Sequence, residues 1–294
     1  MRVVSLVPSA TDILQALGAS DEVVATTYAC SLNGKPVVVT PLLKTDGLPS
    51  VEVDRLVSLA KSSDKPLYYL DVETIRRLSP DLIVAQGVCE VCAVSTRTSE
   101  EKLRQIAPVV ELNPSAVNDI LNDIIFLGKL LKREHEAHEI VAGISETLNW
   151  IRRSTESLPK PRVAFMEWLF PPFCSGHWVP ELVEIAGGVD LGVKGVHSRR
   201  VEPSEIMEHG PEILIAGPCG YGLDRSYEEL RQFLQQPWTA CLKAVQQKNL
   251  YAVDADGYFS RHGPQIAQAA LVLAEIIHPE KFSGKASEKS FKKY

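Results

Sequence analysis

ETIRRLSPDLIVAQGVC, from Glu73 to Cys89, decides the fold, because SEIMEHGPEILIAGPC, from Ser204 to Cys219, repeats its order. Each stretch opens with a short amphipathic helix. A proline and an acidic residue follow, Pro80-Asp81 and Pro211-Glu212, and the residue before a proline is pushed out of the helical region. Each then carries a short apolar run of the length of a buried strand and closes on a glycine and a cysteine. A second pair keeps the same order: TDILQALGASDEVV from Thr11 and PELVEIAGGVDLGV from Pro180. Two copies are too few for a solenoid. The chain therefore reads as two similar lobes.

Working outward, strands are expected at 2–6, 23–26, 37–40, 82–85 and 109–112, with helices between them. Such alternation with short connections predicts an α/β layer around a mostly parallel sheet. Ser9 or Thr11 is expected to cap the first helix and Gly18 to end it. The helix in SEEKLRQI is expected to take Ser99 as its cap. From Ala116 to Ser154 there is no proline, and Ile120, Ile124, Leu127, Leu131, Ile140, Ile144, Leu148 and Ile151 fall at helical spacing. This predicts one helix on the order of 55–60 Å long, or two with a kink, stopped by Pro159 and Pro161. Strands at 162–168, 213–216 and 250–253 resume the rhythm, with helices in VPELVEIAGG and after Pro264. The expected organisation is a lobe over 1–115, a long connecting helix over 116–158 and a second lobe over 159–279. The Lys-rich tail, 280–294, lacks apolar periodicity and reads as disordered. The fold class is α/β: two similar lobes joined by one long backbone helix, with a ligand cleft between them.

The totals narrow the function. Hydrophobic residues make up 45% of 294 and charged residues 23%, an ordinary globular balance. A net charge of −6 gives no footing for nucleic acid or an anionic membrane. No apolar run approaches the ~18 residues of a membrane span. The opening MRVVSLVPSATDILQALG breaks its apolar run at Ser5, Pro8 and Ser9, so it lacks the shape of a secretion signal. The expectation from this is a cytoplasmic protein whose six cysteines are thiols. No nucleophile elbow, phosphate loop or dinucleotide fingerprint is present, so no catalytic set emerges.

Ligand-contacting loops of parallel sheets follow the carboxyl ends of the strands. Those loops hold Tyr28 and Cys30; Cys89 and Cys92; Trp168, Phe173, Cys174, His177 and Trp178; Cys219 and Tyr221; and Tyr258, Arg261 and His262. Five of the six cysteines fall there; Cys241 is expected inside a helix as a small core residue. Cys89 and Cys92 form a C-x-x-C. That spacing fits half a zinc site, a redox pair or chance. A redox pair belongs at a helix N-terminus, and a zinc site needs about four ligands, here drawn from several loops. Cys30, Cys89, Cys92, Cys174, Cys219 and His177 are the candidate metal ligands, with inert packing the alternative. His135 and His138 sit among glutamates and read as a solvated face. Trp168 and Trp178 flank a proline-rich loop and are expected to be partly exposed.

RVVSLVPSATDILQALGASDEVVATT, CEVCAVS, PPFCSGHWVPELVEIAGG and YFSRHGP resemble the helical-backbone class (class III) of ABC-type substrate-binding proteins, and within it the cobalamin-binding branch. The resemblance runs over roughly residues 1–278. It implies a large planar chelate, cobalamin or another corrinoid, held by Tyr28, Trp168, Phe173, Trp178, Tyr221, Tyr258 and Arg261. It also implies one surface glutamate per lobe, Glu73 and Glu205, of the kind that docks on permease arginines. A cytoplasmic location would argue against that docking. Several loop thiols depart from the importer-feeding pattern, since thiolates favour zinc or iron–sulfur clusters. Two expectations result. One is a non-enzymatic binder of a corrinoid or related metal chelate. The other is a thiolate zinc or iron–sulfur protein, with room for an enzymatic role.

Overall fold

A computed structural model describes residues 1–87 and 101–294. Cys89, Cys92 and the expected Ser99 cap lie outside the described residues. The chain divides into two compact units, Met1–Pro114 with Asp119–Val141, and Ser115–Asn118 with Ala142–Tyr294.

The first unit is built on β1 (Val3–Ser5), β2 (Val23–Thr27), β3 (Val37–Pro41), β4 (Tyr68–Leu70), β5 (Leu82–Gln86) and β6 (Val109–Leu112). They lie in the order β4-β3-β2-β1-β5-β6. All pairings are parallel except β3 with β4. β1 and β5 are buried along their whole length, which is why both read as unbroken apolar runs rather than alternations. The helix Pro8–Ala16 corrects the expected cap. Val7 is the N-cap and offers no side-chain bond. The strand has ended before Pro8, as expected, and Pro8 occupies the first helical turn, where its missing N–H costs nothing. Gly18 follows the helix at φ 72°, as expected of a glycine stop.

The second unit carries β7 (Arg162–Leu169), β8 (Pro172–Cys174), β9 (Val189–Asp190), β10 (Arg199–Arg200), β11 (Ile213–Ala216), β12 (Leu250–Val253) and β13 (Phe291–Lys293). The order is β10-β8-β7-β11-β12-β13, with β9 beside β7. β7, β9, β11 and β12 pair in parallel; β8, β10 and β13 join antiparallel.

The repeat seen in sequence has a physical counterpart. β1 is flanked by β2 and β5, and β7 by β9 and β11. Arg2 donates its backbone N–H to the Asp81 carboxylate at 2.7 Å and its guanidinium to Leu78 O. Arg162 does the same with Glu212, at 3.1 Å, and Gly210 O. The helices before β5 and β11 both end in a left-handed residue, Ser79 at φ 45° and Gly210 at φ 61°. The Pro-acidic pair thus turns the chain out of a helix and anchors the start of the first strand of each unit.

The expected long helix is two helices, Val117–Leu130 and Glu134–Thr155. Lys132 turns between them at φ 57°. Ile120, Ile124, Leu127, Leu131, Ile144, Leu148 and Ile151 are buried and Ile140 is half-buried, so the stripe holds at seven of its eight positions although the rod is not continuous. His135 and His138 are exposed.

The tail corrects the expectation of disorder. A short helix spans Pro279–Phe282, and Phe282 is fully buried with its ring 5.2 Å from that of Trp150. The Glu275 carboxylate accepts from Gly284 N and Ala286 N, each at 2.8 Å. β13 then pairs with β12. Composition hides this, because a few anchors and a row of backbone bonds replace apolar periodicity. Cys241 is also corrected: it is exposed at the end of the 3-10 turn Pro237–Cys241, and Thr239 and Leu242 are the neighbours that turn inward.

Candidate functional site

In the second unit the aromatic candidates gather where β7 and β11 end. Trp168 donates its indole N–H to Phe170 O at 2.9 Å, which fixes the ring beside the strand end. The Tyr221 ring lies 5.1 Å from it at 56°. Arg225 covers the other partner: its guanidinium carbon is 3.7 Å from the Tyr221 centroid, and Nη2 donates to the phenol oxygen at 2.6 Å. Burial pushes the Tyr221 phenol up to about 12, the Arg225 charge opposing the shift. The phenol therefore stays neutral at any physiological pH. The result is a tryptophan–tyrosine–guanidinium stack in which Trp168 is half-buried and Tyr221, at 8% exposed, is buried, against its expected place as a ligand contact.

Two loops are tied to this stack. Cys219 N donates to Glu167 O. Asp256 N donates to Tyr221 O at 3.0 Å, and Gly220 N to Ser260 Oγ at 2.9 Å. The turn Ala255–Tyr258 is capped by Asp254, whose carboxylate accepts from Gly257 N. Arg261 donates to Asp256 O at 2.9 Å and lies 3.3 Å from the Asp256 carboxylate. Tyr258 and Arg261 are half-buried on this loop. Phe173 sits on β8 opposite Trp168.

A second group surrounds Trp178. It is 5% exposed, so the expected partial exposure holds for Trp168 but not here. Its ring is 5.7 Å from both His177 and His262. Burial, with a smaller push from the His197 charge, lowers the His177 imidazole to about 4. Burial, with a smaller push from His177, lowers His262 to about 3. Asp190 accepts from Phe165 N at 3.1 Å and from the Ser175 hydroxyl. Burial holds its carboxyl up at about 6 against those bonds.

The four described cysteines are thiols and differ in surroundings. Cys30 is in the first unit, where its sulfur is 3.1 Å from Thr11 Oγ1 and 3.2 Å from Thr27 Oγ1. Cys174 is 2% exposed within an apolar cluster that includes Met166, Leu169 and Val201. Burial pushes its thiol up, which disfavours the thiolate a metal needs. Cys219 is half-buried beside β11. Among the described residues no group of three or more His, Cys, Asp and Glu side chains is placed to hold a metal. In the first unit Tyr28 is half-exposed and stacks on Tyr68 at 6.2 Å.

Sequence reasoning missed Arg225, His197 and Tyr68. Arg225 carried a readable signal, since Tyr221, Arg225 and Glu229 recur every four residues into the helix Leu223–Phe233. His197 and Tyr68 carried none. They reach their partners through a loop return and an antiparallel edge strand.

Two α/β units share one pattern, and rings and a cation gather at the strand ends of the second. Residues 3–256 match the family model described as periplasmic binding protein, and the chain belongs to that family. A curated relative, an uncharacterised ABC transporter substrate-binding lipoprotein of Bacillus subtilis, is 22% identical over 96% of this chain and 81% of its own. The periplasmic haem-binding protein of Vibrio cholerae superposes with a TM-score of 0.71 at 19% identity, covering 95% of this chain and 99% of that one. The periplasmic vitamin B12-binding protein of the same organism gives 0.69 at 19% identity, covering 94% and 96%. The two-lobed class III substrate-binding fold is therefore established. These relatives overturn the cytoplasmic expectation, because periplasmic proteins and lipoproteins work outside the cytoplasm. The reading of the opening residues as no secretion signal decided nothing about location. Among the described residues no helix is long and apolar enough to cross a membrane.

Proposed function

We propose that this substrate-binding protein carries a corrinoid or a related planar metal chelate. The observation that supports it is the Trp168–Tyr221–Arg225 stack, with rings 5.1 Å apart and the guanidinium 3.7 Å over the phenol. A flat macrocycle offers an apolar face to the half-buried Trp168 ring and peripheral acceptors to a guanidinium, with the buried Tyr221 ring backing Trp168. Phe173, Tyr258 and Arg261 extend the contact in the same unit. Trp178, being buried, supports the contact surface from below. Glu73 and Glu205 are proposed as the permease contacts. Both lie in the first turn of the matched short helices. Glu73 is exposed beside Arg76, and Glu205 is bound to Arg199 at 2.8 Å, so docking would exchange one arginine for another.

Calorimetry of the purified chain with cyanocobalamin is the test. One-to-one binding is expected, weakened at least tenfold in Trp168→Ala. Haem titrated in parallel separates the ligand classes. Haem binding without cobalamin binding removes the corrinoid assignment, and silence with both removes the chelate reading.

A further inference from the structure

The loop after β8 doubles back on the segment before β10 and brings together two histidines that are 20 positions apart, His177 and His197. Their rings stand 4.7 Å apart at 86°. The backbone holds this arrangement from both sides. His177 N donates to Val196 O at 2.6 Å, and Gly195 N donates to His177 O at 2.9 Å. Glycine at 176 is required for it. A Cβ there would collide with the backbone of Ser198. His177 itself sits at φ 54°, a conformation uncommon outside glycine, which histidine enters more readily than most side chains, as asparagine and aspartate do. The chain thus adopts a restrained local geometry that sets one imidazole edge-on to another.

The pair is available for coordination. Among the described residues neither imidazole ring takes a hydrogen bond. His177 is half-buried and His197 exposed, so the pair opens to solvent on one side. The nearest cations on the same loop are already neutralised. Lys194 is 2.7 Å from the Glu184 carboxylate, and Arg199 is 2.8 Å from that of Glu205. Beside His177, the buried indole N–H of Trp178 has no acceptor among the described residues. An indole donor left over at such a place suits an oxygen brought in by a ligand or by water.

We propose that His177 and His197 form a two-imidazole seat for a divalent ion of the nickel, copper or zinc class. Imidazole nitrogen prefers these borderline metals over magnesium or calcium. Two protein donors leave the remaining positions to water or to small oxygen and nitrogen ligands. The seat is separate from the Trp168–Tyr221–Arg225 stack and does not require the corrinoid reading.

The test is calorimetric titration of tag-free protein with nickel chloride, no chelate being present. One ion per chain is expected. His177→Asn and His197→Asn should each weaken it by at least tenfold, while His135→Asn, on the exposed face of Glu134–Thr155, leaves it unchanged. Asparagine is chosen at 177 because it tolerates the left-handed backbone, and circular dichroism checks that the fold is kept. Copper(II) loaded on the same proteins should show hyperfine coupling to two nitrogens in wild type and fewer in either variant. The proposal is overturned by the absence of saturable nickel binding at 100 µM, or by binding that survives both substitutions. Neither outcome depends on whether cobalamin binds.

Discussion

At the scale of single residues, the buried imidazole of His262 has an energetic consequence. The folded chain holds it at about 3, well below the ordinary histidine value. Between that value and about 6.5 the unfolded chain binds a proton that the folded chain refuses, so stability rises with pH across this window and is lost on acidification. Asp190 acts with the opposite sign. Its folded carboxyl keeps its proton up to about 6, so its contribution falls as pH rises from about 4 to about 6. Replacing His262 with asparagine should remove up to about one proton's worth of slope, about 1.4 kcal/mol per pH unit. Urea melts at several pH values between 4 and 6.5 measure it, and an unchanged slope would disconnect His262 from acid sensitivity. Residue chemistry was only partly legible in the sequence. Rings at strand ends were, because the loops that carry them follow apolar runs. Burial was not: the same letters that made Trp178 and Cys174 look like cleft residues place them in the interior.

At the scale of elements, the last strand closes an edge. Without β13, the N–H and C=O groups on the outer side of β12 would face water or another chain. Asp254 N would also lose its acceptor, Ser290 O, at 2.9 Å. Tyr227 would lose the Tyr294 ring at 5.7 Å and the Lys292 ammonium at 4.1 Å. Truncation before Ser287 should cost about 2 kcal/mol, lowering the melting temperature by about 4–8 °C. It should also introduce concentration-dependent self-association, visible by scanning calorimetry and size-exclusion chromatography. A variant that melts like wild type and stays monodisperse would deny the strand this role. Strands buried on both faces, such as β5 and β11, could be read from sequence because burial demands continuous apolar runs. β4, β8, β10 and β13 join antiparallel at the margins, where pairing is decided by neighbours rather than by composition, and they were missed. The first helix was placed correctly but its cap was not, since Pro8 and Val7 replace the side-chain bond expected of Ser9 or Thr11.

At the scale of the whole molecule, the twofold repeat carries the docking prediction. Glu73 is the second residue of its helix and Glu205 the third of the matched helix, one position out of register; Glu205 also closes a capping box with Glu202. Glutamine serves in such a box as well as glutamate. Glu73→Gln with Glu205→Gln should therefore leave folding and ligand affinity unchanged. The same pair should cut stimulation of a cognate importer's ATP hydrolysis in vesicles at least tenfold. Full stimulation by the double variant would remove both residues from the permease contact. The repeat itself was legible because Pro80-Asp81 and Pro211-Glu212 perform one mechanical task, anchoring Arg2 and Arg162.

The route of the chain between the units has one more consequence. Residues 115–118 belong with the second body, and residues 119–141 return to the first; Val117 N is bound to Glu181 at 2.8 Å, whereas Arg133 is bound to Glu22 at 3.2 Å. A gene fragment cut at 115 would thus encode a sheet stripped of a covering layer, with Glu22 deprived of its guanidinium. To express either body alone, the coding sequence would have to be spliced or circularly rearranged, not simply shortened.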